Sequence, residues 1–483
     1  MRRRTLNQSL AVAALASITA GCVPSLGARK PTVVNVVVIT YPGGGGSPAV
    51  LSLYKAALEV TKANPGDFEL KLSMVSPTMP DPSWGPQTTP PTVTALEQAL
   101  GQSPPPDVVI FSSGYEFAAA LEKDLLAPLD DVARGERGFK ADDYFPGTLE
   151  AVSDQGKLYA LPLAATPMVL QYDKRLFDAA GLGPPDATWN WSTLLNAAKQ
   201  MTNPDAEAGP QYGLNAMNGN WLAALIWQNG GEFATKDGRR CLLADPAAIE
   251  AIKFYSDLMH VHKVASGMPK PGPGSREMIA RAIRVGPGEY PPLMGPSGRV
   301  AMQPMDGTAY AYGYGPYGPT RSSGERPLRI AELPRNKQQA TLIGLQAALA
   351  VTNASPNPKV AFRALVALAA QMQSDMVVPA TRTAAKRLTQ INPNIQEEDA
   401  KVLLASMEYG RVLPLYRQSL YMRPFYEKLL SPVQSGDKDP AEAAREAAQA
   451  IDEVLNKPLE ELLTPTPAPA PAAPAPVPTS PGR

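Results

Sequence analysis

Histidine and cysteine are both scarce in this chain of 483 residues, which has 2 of each. A structural zinc site needs about four Cys or His ligands close together, so this class of site is close to excluded. His260 and His262 are two residues apart in a predicted helix and point to different faces, so they do not share one metal ion. We therefore expect no metal and no cofactor.

An excess of charge of either sign is also missing. Lys and Arg together number 45, Asp and Glu together number 45, and the formal net charge is +0. Bulk charge therefore favours neither a nucleic-acid partner nor an anionic membrane surface. The glycine-rich run 43–46 follows the first predicted strand, but it lacks the Gly-Lys-Ser/Thr and GxGxxG patterns of phosphate-binding loops.

The first 21 residues have the features of an export signal. A basic stretch at 2–4 precedes an apolar run, Leu10–Ala20, which is too short to span a bilayer. Small residues precede Cys22, as in bacterial lipoprotein signals, so we expect cleavage before Cys22, lipidation of its thiol and a tether over 22–32. The alternative is a plain secretory signal with a chance cysteine. Cys241 would then be an unpaired thiol, best explained as a small core side chain.

Strands and helices alternate in the first part of the chain. Strand patterns at Val33–Thr40, Phe68–Val75 and Pro106–Phe111 are separated by helical patterns, of which Pro48–Ala63 is the clearest. This alternation predicts an α/β fold with an open sheet. Ligands of such sheets bind at the carboxyl ends of the strands, which here carry Tyr41, Ser113 and Tyr115.

The other predicted elements are organised around the segment Gly156–Phe177. Its sequence is GKLYALPLAATPMVLQYDKRLF. Pro162 and Pro167 cannot donate to a sheet ladder, so we predict two strand pieces joined by a crossover rather than one central strand. Such a segment suits a hinge between two rigid bodies. Thr166 lies at its centre.

This segment resembles the first interlobe crossing of the extracellular solute-binding proteins of family 1, the substrate receptors of ATP-binding-cassette importers. Further phrases of that family are matched, in order, by Pro106–Val109, Thr188–Leu194, Trp221–Gly231 and Gly298–Met302. The resemblance implies a two-lobe periplasmic-binding-protein-like fold of type II with discontinuous lobes. It places lobe one at 33–163 plus 332–405 and lobe two at 164–331 plus 406–463.

The resemblance also implies a function without a catalytic step. A small polar solute, best explained as a carbohydrate, would bind between the lobes and favour the closed state. The partner would be the transmembrane permease of an importer, and the receptor would act as a monomer held by its lipid anchor on the extracytoplasmic face of the cell membrane. The residues to which a ligand-binding role carries over are Tyr41, Ser113, Tyr115, Thr166, Asn218, Asn220, Trp221, Tyr310, Arg382 and Tyr421.

Two other classes of function stay open at this stage. A surface hydrolase of the Ser-His type is disfavoured because there is no GxSxG motif, but two carboxylates for glycan hydrolysis are compatible with the sequence. A sensing or adhesion protein that keeps the receptor fold is the third class.

Two roles are open for Arg382: its guanidinium would either bind a carboxylate of the solute or form an ion pair within the protein. The Pro/Ala-rich segment Thr464–Arg483 is predicted to be disordered or polyproline II and to lie outside the fold.

Overall fold

A computed structural model describes most of the chain between residues 30 and 458. The described residues are 30–39, 48–75, 91–112, 114–206, 209–265, 293–295, 298–307, 327–373, 378–391, 395–414 and 417–458. Among them, every helix is too short or too polar to be a candidate for crossing a membrane.

Strands and helices alternate, as the sequence predicts. The strands are β1 Thr32–Ile39, β2 Phe68–Val75, β3 Val108–Phe111, β4 Ser153–Asp154, β5 Lys157–Leu158, β6 Ala160–Asp173, β7 Gln211–Leu214, β8 Met294–Gly295, β9 Gly298–Asp306, β10 Leu328–Ala331, β11 Thr341–Val351 and β12 Gly410–Arg411. The helices are α1 Pro48–Ala63, α2 Pro91–Leu100, α3 Gly114–Glu122, α4 Asp130–Ala133, α5 Pro146–Glu150, α6 Lys174–Ala179, α7 Trp191–Met201, α8 Asn220–Gln228, α9 Pro246–His260, α10 Pro358–Gln373, α11 Arg382–Ala385, α12 Leu388–Ile391, α13 Glu397–Glu408, α14 Gln418–Pro424, α15 Ser431–Ser435 and α16 Pro440–Asn456. A 3-10 turn, Ala141–Asp143, and a π-helical turn, Phe425–Leu430, complete the set.

Ten of the described strands form one mixed sheet, in the order β2-β1-β3-β11-β6-β9-β7, with β10, β12 and β8 pairing from the side. The β1 strand is parallel to both β2 and β3, whereas β11 is antiparallel to β3 and to β6. The sheet thus begins as a parallel α/β sheet and continues through two long antiparallel strands into its second half.

The prediction of two strand pieces at Gly156–Phe177 is wrong, because β6 is one continuous strand of 14 residues, all of them buried. Its partners change along its length: Ala160 to Pro167 pair with β11, and Met168 to Tyr172 pair with β9. Pro162 is accommodated because the register of the β6–β11 ladder shifts on both sides of Ala347, and proline is tolerated at such irregularities.

Four hydrophobic clusters flank the sheet, and β6 contributes to all of them. Leu161 packs with α1 and α10 on one face, and Ala160 packs with α2 and α3 on the other. Leu170 joins the cluster built by α7, α8, α9 and α16, and Val169 joins the cluster beneath α13. This one strand therefore connects the packing of both halves of the molecule.

Cys241 lies in the core, with 6% of its surface exposed, as the sequence predicts for an unpaired thiol. Burial raises the pKa of this thiol from 9.0 to about 12. Because the thiolate is the reactive species, we expect a disulfide reagent at pH 8 to modify native Cys241 at least about a thousandfold more slowly than a free thiol. A Cys22→Ser chain followed by absorbance, with guanidinium-unfolded protein as the control, measures this. Rapid modification of the native chain would contradict the buried placement.

Candidate functional site

Three polar side chains meet where β6, β9 and β11 run side by side. The Thr166 hydroxyl, which is 1% exposed, donates to Asp306 Oδ1 at 2.8 Å. Gln346 Nε2 donates to Thr166 Oγ1 at 3.2 Å and lies 3.5 Å from Asp306 Oδ2. We call Thr166, Asp306 and Gln346 the crossing cluster, because they lie where the partner of β6 changes from β11 to β9.

The backbone around the crossing cluster leaves space for these groups. A Cβ at Gly344 would lie 2.8 Å from Asp306 Oδ2 and 3.3 Å from Gln346 Nε2, so glycine is what allows the carboxylate to approach β11. Asp306 and Gln346 are both partly exposed, whereas Thr166 beneath them is buried. The cluster therefore presents a carboxylate and an amide on a buried floor.

The loop after β3 approaches the same place. A Cβ built on Gly114 would lie 3.4 Å from the Cβ of Leu345, the residue before Gln346. Glu116, which is buried, shapes this loop because its Oε2 accepts hydrogen bonds from Ser112 N at 3.1 Å and Ser112 Oγ at 2.8 Å. The carboxyl end of β3 thus lies beside the crossing cluster, as parallel strand topology predicts.

The start of α8 approaches from the second half of the sheet. Asn218 Nδ2 donates to Pro304 O at 3.4 Å, and Pro304 lies two residues before Asp306 on β9. Asn218 Oδ1 accepts from Asn220 N at 3.1 Å, which ties the loop to the first turn of the helix. Asn220 itself is exposed. Two predicted amides therefore lie along β9 from the crossing cluster.

Two predicted aromatic residues lie in the core instead of on a surface. Trp221 is 1% exposed and meets Tyr255 edge-on, with ring centroids 5.9 Å apart, and its Nε1 has no hydrogen-bond partner among the described residues. Tyr421 is also 1% exposed, and its hydroxyl donates to Pro414 O at 2.7 Å. Burial raises the pKa of Tyr421 well above its usual range. We therefore leave both out of the candidate site.

Arg382 is held by other parts of the protein. Its guanidinium pairs with Glu408, with Nη2 2.7 Å from Oε2, and Nη1 donates to Tyr144 O at 2.6 Å. It also lies 5.1 Å from the centre of the Phe145 ring. Hydrogen bonding to Glu408 raises the pKa of Arg382 above its ordinary value. Of the two interpretations left open by the sequence, this geometry favours structural pairing.

We expect Arg382→Gln to lower the free energy of unfolding by about 1–2 kcal/mol, because it removes a charged donor from a backbone carbonyl and from Glu408. Solute affinity should stay within about twofold of the unchanged chain. Urea unfolding and calorimetric titration measure the two quantities. Arg363→Gln is the control, since Arg363 pairs with Asp67 on the surface, where both side chains are 43% exposed. Loss of affinity at unchanged stability would show instead that Arg382 contacts the solute.

Several predicted residues lie outside the described residues. They are Cys22, Tyr41, Ser113 and Tyr310. Tyr115 lies in the first turn of α3, and only its backbone is described. The roles assigned to these residues stay predictions.

Sequence analysis missed two members of the crossing cluster. Asp306 lies between the matched phrase Gly298–Met302 and Tyr310, the residue to which the resemblance assigns a binding role, and this position is the available signal. Gln346 is a lone amide in the strand Thr341–Val351, and this break in a run of apolar residues is the available signal. Neither residue shows its proximity to Thr166 in the sequence, since 140 and 180 residues separate them.

The chain is an α/β protein in which three polar side chains meet where the partner of a central strand changes. A family model described as bacterial extracellular solute-binding protein matches residues 84–373. Because this match covers more than half of the chain, the chain belongs to that family. The family consists of substrate-binding receptors rather than enzymes, which removes the hydrolase alternative.

Relatives of known sequence match over shorter stretches. A binding protein of Brucella abortus (strain 2308) is 31% identical over 138 residues, which are 27% of this chain and 31% of that protein. A mannitol-binding protein of Pseudomonas aeruginosa is 33% identical over 100 residues, 21% of each chain. The matched part thus spans less than a third of each relative's own length.

Solved structures match over nearly the whole fold. The substrate-binding protein Lmo0181 of Listeria monocytogenes, solved in complex with cycloalternan, has a TM-score of 0.61 at 19% identity, with 88% of this chain and 99% of that chain covered. At this identity the likeness concerns the fold. It confirms the predicted α/β two-lobe fold class, and the family match confirms the predicted family.

Proposed function

We propose that the protein is a receptor for a small neutral polar solute of the carbohydrate or polyol class, and that the crossing cluster forms the floor of its binding site. The observation that carries the proposal is the convergence of Thr166, Asp306 and Gln346 on the strand that connects both halves of the sheet. A ligand bound there contacts elements of both halves, so it stabilises one relative arrangement of them.

The chemistry of the surrounding groups supports a polyhydroxylated solute. A carboxylate accepts hydrogen bonds from hydroxyl groups, and the amides of Gln346, Asn218 and Asn220 both donate and accept. Among the described residues of the crossing cluster, the charged group is the carboxylate of Asp306, which disfavours an anionic solute. The similarity to a mannitol-binding protein and to a structure that holds cycloalternan points to the same class of solute.

The proposed mechanism is a shift between open and closed states of two lobes, 33–163 plus 332–405 and 164–331 plus 406–463. Strands β6, β10 and β11 lie at the boundary between them, with β10 antiparallel to the end of β6. A solute that contacts both lobes favours the closed state by the difference between its affinities for the two states. No covalent step is needed.

The proposed location is the extracytoplasmic face of the cell membrane, with a lipid anchor on Cys22. From there the receptor would deliver its solute to the permease of an ATP-binding-cassette importer. Mass spectrometry of the amino-terminal peptide from a membrane fraction tests the anchor. A diacylated Cys22 supports it, and an unmodified peptide released to the medium would contradict it.

Thermal unfolding against a panel of sugars, polyols, oligopeptides and anions tests the function. A ligand present at about 100 times its dissociation constant adds about 2.7 kcal/mol to the free energy of unfolding. We expect a shift with one class of saccharide or polyol, much reduced in Asp306→Ala and kept in the control Asp186→Asn, whose exposed carboxylate interacts with Thr188. A shift only with peptides or anions would overturn the proposed solute class.

A further inference from the structure

A cavity of about 800 Å³ lies apart from the crossing cluster and shares no lining residue with it. We call it the lateral pocket. Its walls come from three places: the end of α5 with the β4–β5 hairpin, the loop that follows α8, and the segment after β12. The residues that define these walls are Glu150 and 153–156, Trp227 with 232–238 and Leu242, and 411–414.

The walls of the lateral pocket combine apolar surface with an excess of carboxylates. Phe233, Leu242 and Leu413 supply apolar surface, and Pro414 adds a rigid ring. The charged residues of the lining are the acids Glu150, Asp154, Glu232 and Asp237 and the cations Lys236 and Arg411. Arg411 is already engaged, since its Nη2 lies 2.7 Å from Glu232 Oε2 and its guanidinium lies 5.0 Å from the Trp227 ring.

The last described helix ends beside this pocket. Asn456 Nδ2, in the last turn of α16, donates to Arg239 O at 3.4 Å, and Arg239 directly follows the lining residue Gly238. One turn earlier, Asp452 Oδ1 accepts from Cys241 N at 2.6 Å. The chain therefore leaves α16 next to the loop that follows α8, which forms one wall of the lateral pocket.

The segment that follows has a composition that suits such a pocket. Thr464–Arg483 consists mainly of proline and alanine, contains no Asp or Glu, and has Arg483 as its one charged side chain. It thus adds no repulsion to a lining rich in carboxylates. A polyproline II segment advances about 3.1 Å per residue, so 20 residues reach on the order of 60 Å. The reach is ample for a pocket adjacent to the end of α16.

We propose that Thr464–Arg483 docks into the lateral pocket of its own chain as a polyproline II segment. Proline-rich segments bind grooves with little loss of conformational entropy, because their backbone is already restricted. The proline rings of the segment would pack against Leu413, Pro414 and Leu242, and its unpaired carbonyl groups would accept hydrogen bonds from the Lys236 ammonium group.

Docking has a consequence for solute binding, and this consequence rests on the proposed function. The lateral pocket takes one wall from proposed lobe one and two walls from proposed lobe two. A segment bound there favours the arrangement of the lobes in which the pocket is open. We therefore expect solute affinity to change when docking is lost, while docking itself can be measured without any solute.

Distance measurement between two spin labels tests the docking. The full chain carries Cys22→Ser, with labels on Gln155→Cys at the pocket rim and Ala473→Cys in the segment, and buried Cys241 stays unlabelled. We expect one narrow, short distance distribution. It should be lost when the prolines of 464–483 are replaced by Gly, a change that leaves the folded body intact. It should also be lost in Ala234→Trp, which fills the pocket, and kept in the control Gln449→Trp on the outer face of α16.

Two results would overturn the proposal. A broad distribution in the unsubstituted chain, unchanged by the Pro→Gly or Ala234→Trp variants, would show that the segment does not occupy the pocket. A narrow distribution that disappears on dilution with unlabelled protein would show that the segment of a second copy is bound instead. Neither result bears on the thermal shift with solute, so a failure of docking and a failure of the proposed function are distinguishable.

Discussion

Asp306→Ala is expected to weaken solute binding by on the order of tenfold to a hundredfold. The substitution removes a partly exposed carboxylate that is positioned by the Thr166 hydroxyl at 2.8 Å and lies within reach of the Gln346 amide. A hydrogen bond to a charged acceptor contributes about 1.5–3 kcal/mol, and each 1.4 kcal/mol is a factor of ten in affinity. Calorimetric titration with the solute identified by thermal shift measures the change.

One control and one second variant separate the loss of a solute contact from the loss of structure. Asp186→Asn alters an exposed carboxylate that is bonded to Thr188, and it should leave the affinity unchanged. Gly344→Ala keeps the carboxylate but places a methyl group 2.8 Å from its Oδ2, so it should also weaken binding by displacing Asp306. Unchanged affinity in both Asp306→Ala and Gly344→Ala would show that the solute binds elsewhere.

Gly213→Ala is expected to lower the free energy of unfolding by about 3 kcal/mol or more. A Cβ at this position in β7 would lie 2.2 Å from the Ala198 carbonyl oxygen and 2.4 Å from its Cα. Both are backbone atoms of α7. The backbone N–H of Gly213 donates to Thr202 Oγ1 at 2.9 Å, and this hydrogen bond also holds β7 close to the end of α7. Relief of the overlap therefore requires the helix to move away from the sheet, which costs packing.

Denaturant unfolding of the Gly213→Ala chain measures this loss. Gly183→Ala is the matched control: a Cβ at Gly183 has open space around it, so the change should stay within about 0.5 kcal/mol. Equal stability of the two variants would show that α7 and β7 are not in direct backbone contact. Solute affinity in the surviving folded fraction of Gly213→Ala should stay unchanged, since Gly213 lies outside the crossing cluster.

Local patterns in the sequence predicted most of the first half of the sheet. The helix Pro48–Ala63 and the strand Phe68–Val75 have the predicted bounds, because each buries one repeating set of apolar side chains against neighbouring elements. Val36 and Val37 show the same rule in β1, where successive side chains point into clusters on opposite faces of the sheet. Such features depend on residues a few positions apart, so the sequence displays them directly.

The segment Gly156–Phe177 differs from what its local sequence predicts. Prolines at 162 and 167 excluded a regular central strand on propensity alone, yet β6 is continuous because the register shifts of its ladder with β11 occur beside Pro162. The shifts involve Leu345 and Ala347, which are far from Pro162 in the chain and lie on another strand. A local rule about proline was therefore overridden by the geometry of a distant strand.

The family, the α/β class and the burial of Cys241 follow from the sequence alone, since each rests on short motifs or on the pattern of apolar residues. Which polar groups meet depends on the three-dimensional fold. It brought Thr166, Asp306 and Gln346 together, tied Arg382 to Glu408, and placed Trp221 and Tyr421 in the core. The physical reason is that hydrogen-bonding sites depend on distances of about 3 Å between residues far apart in the chain, and no local pattern encodes those distances.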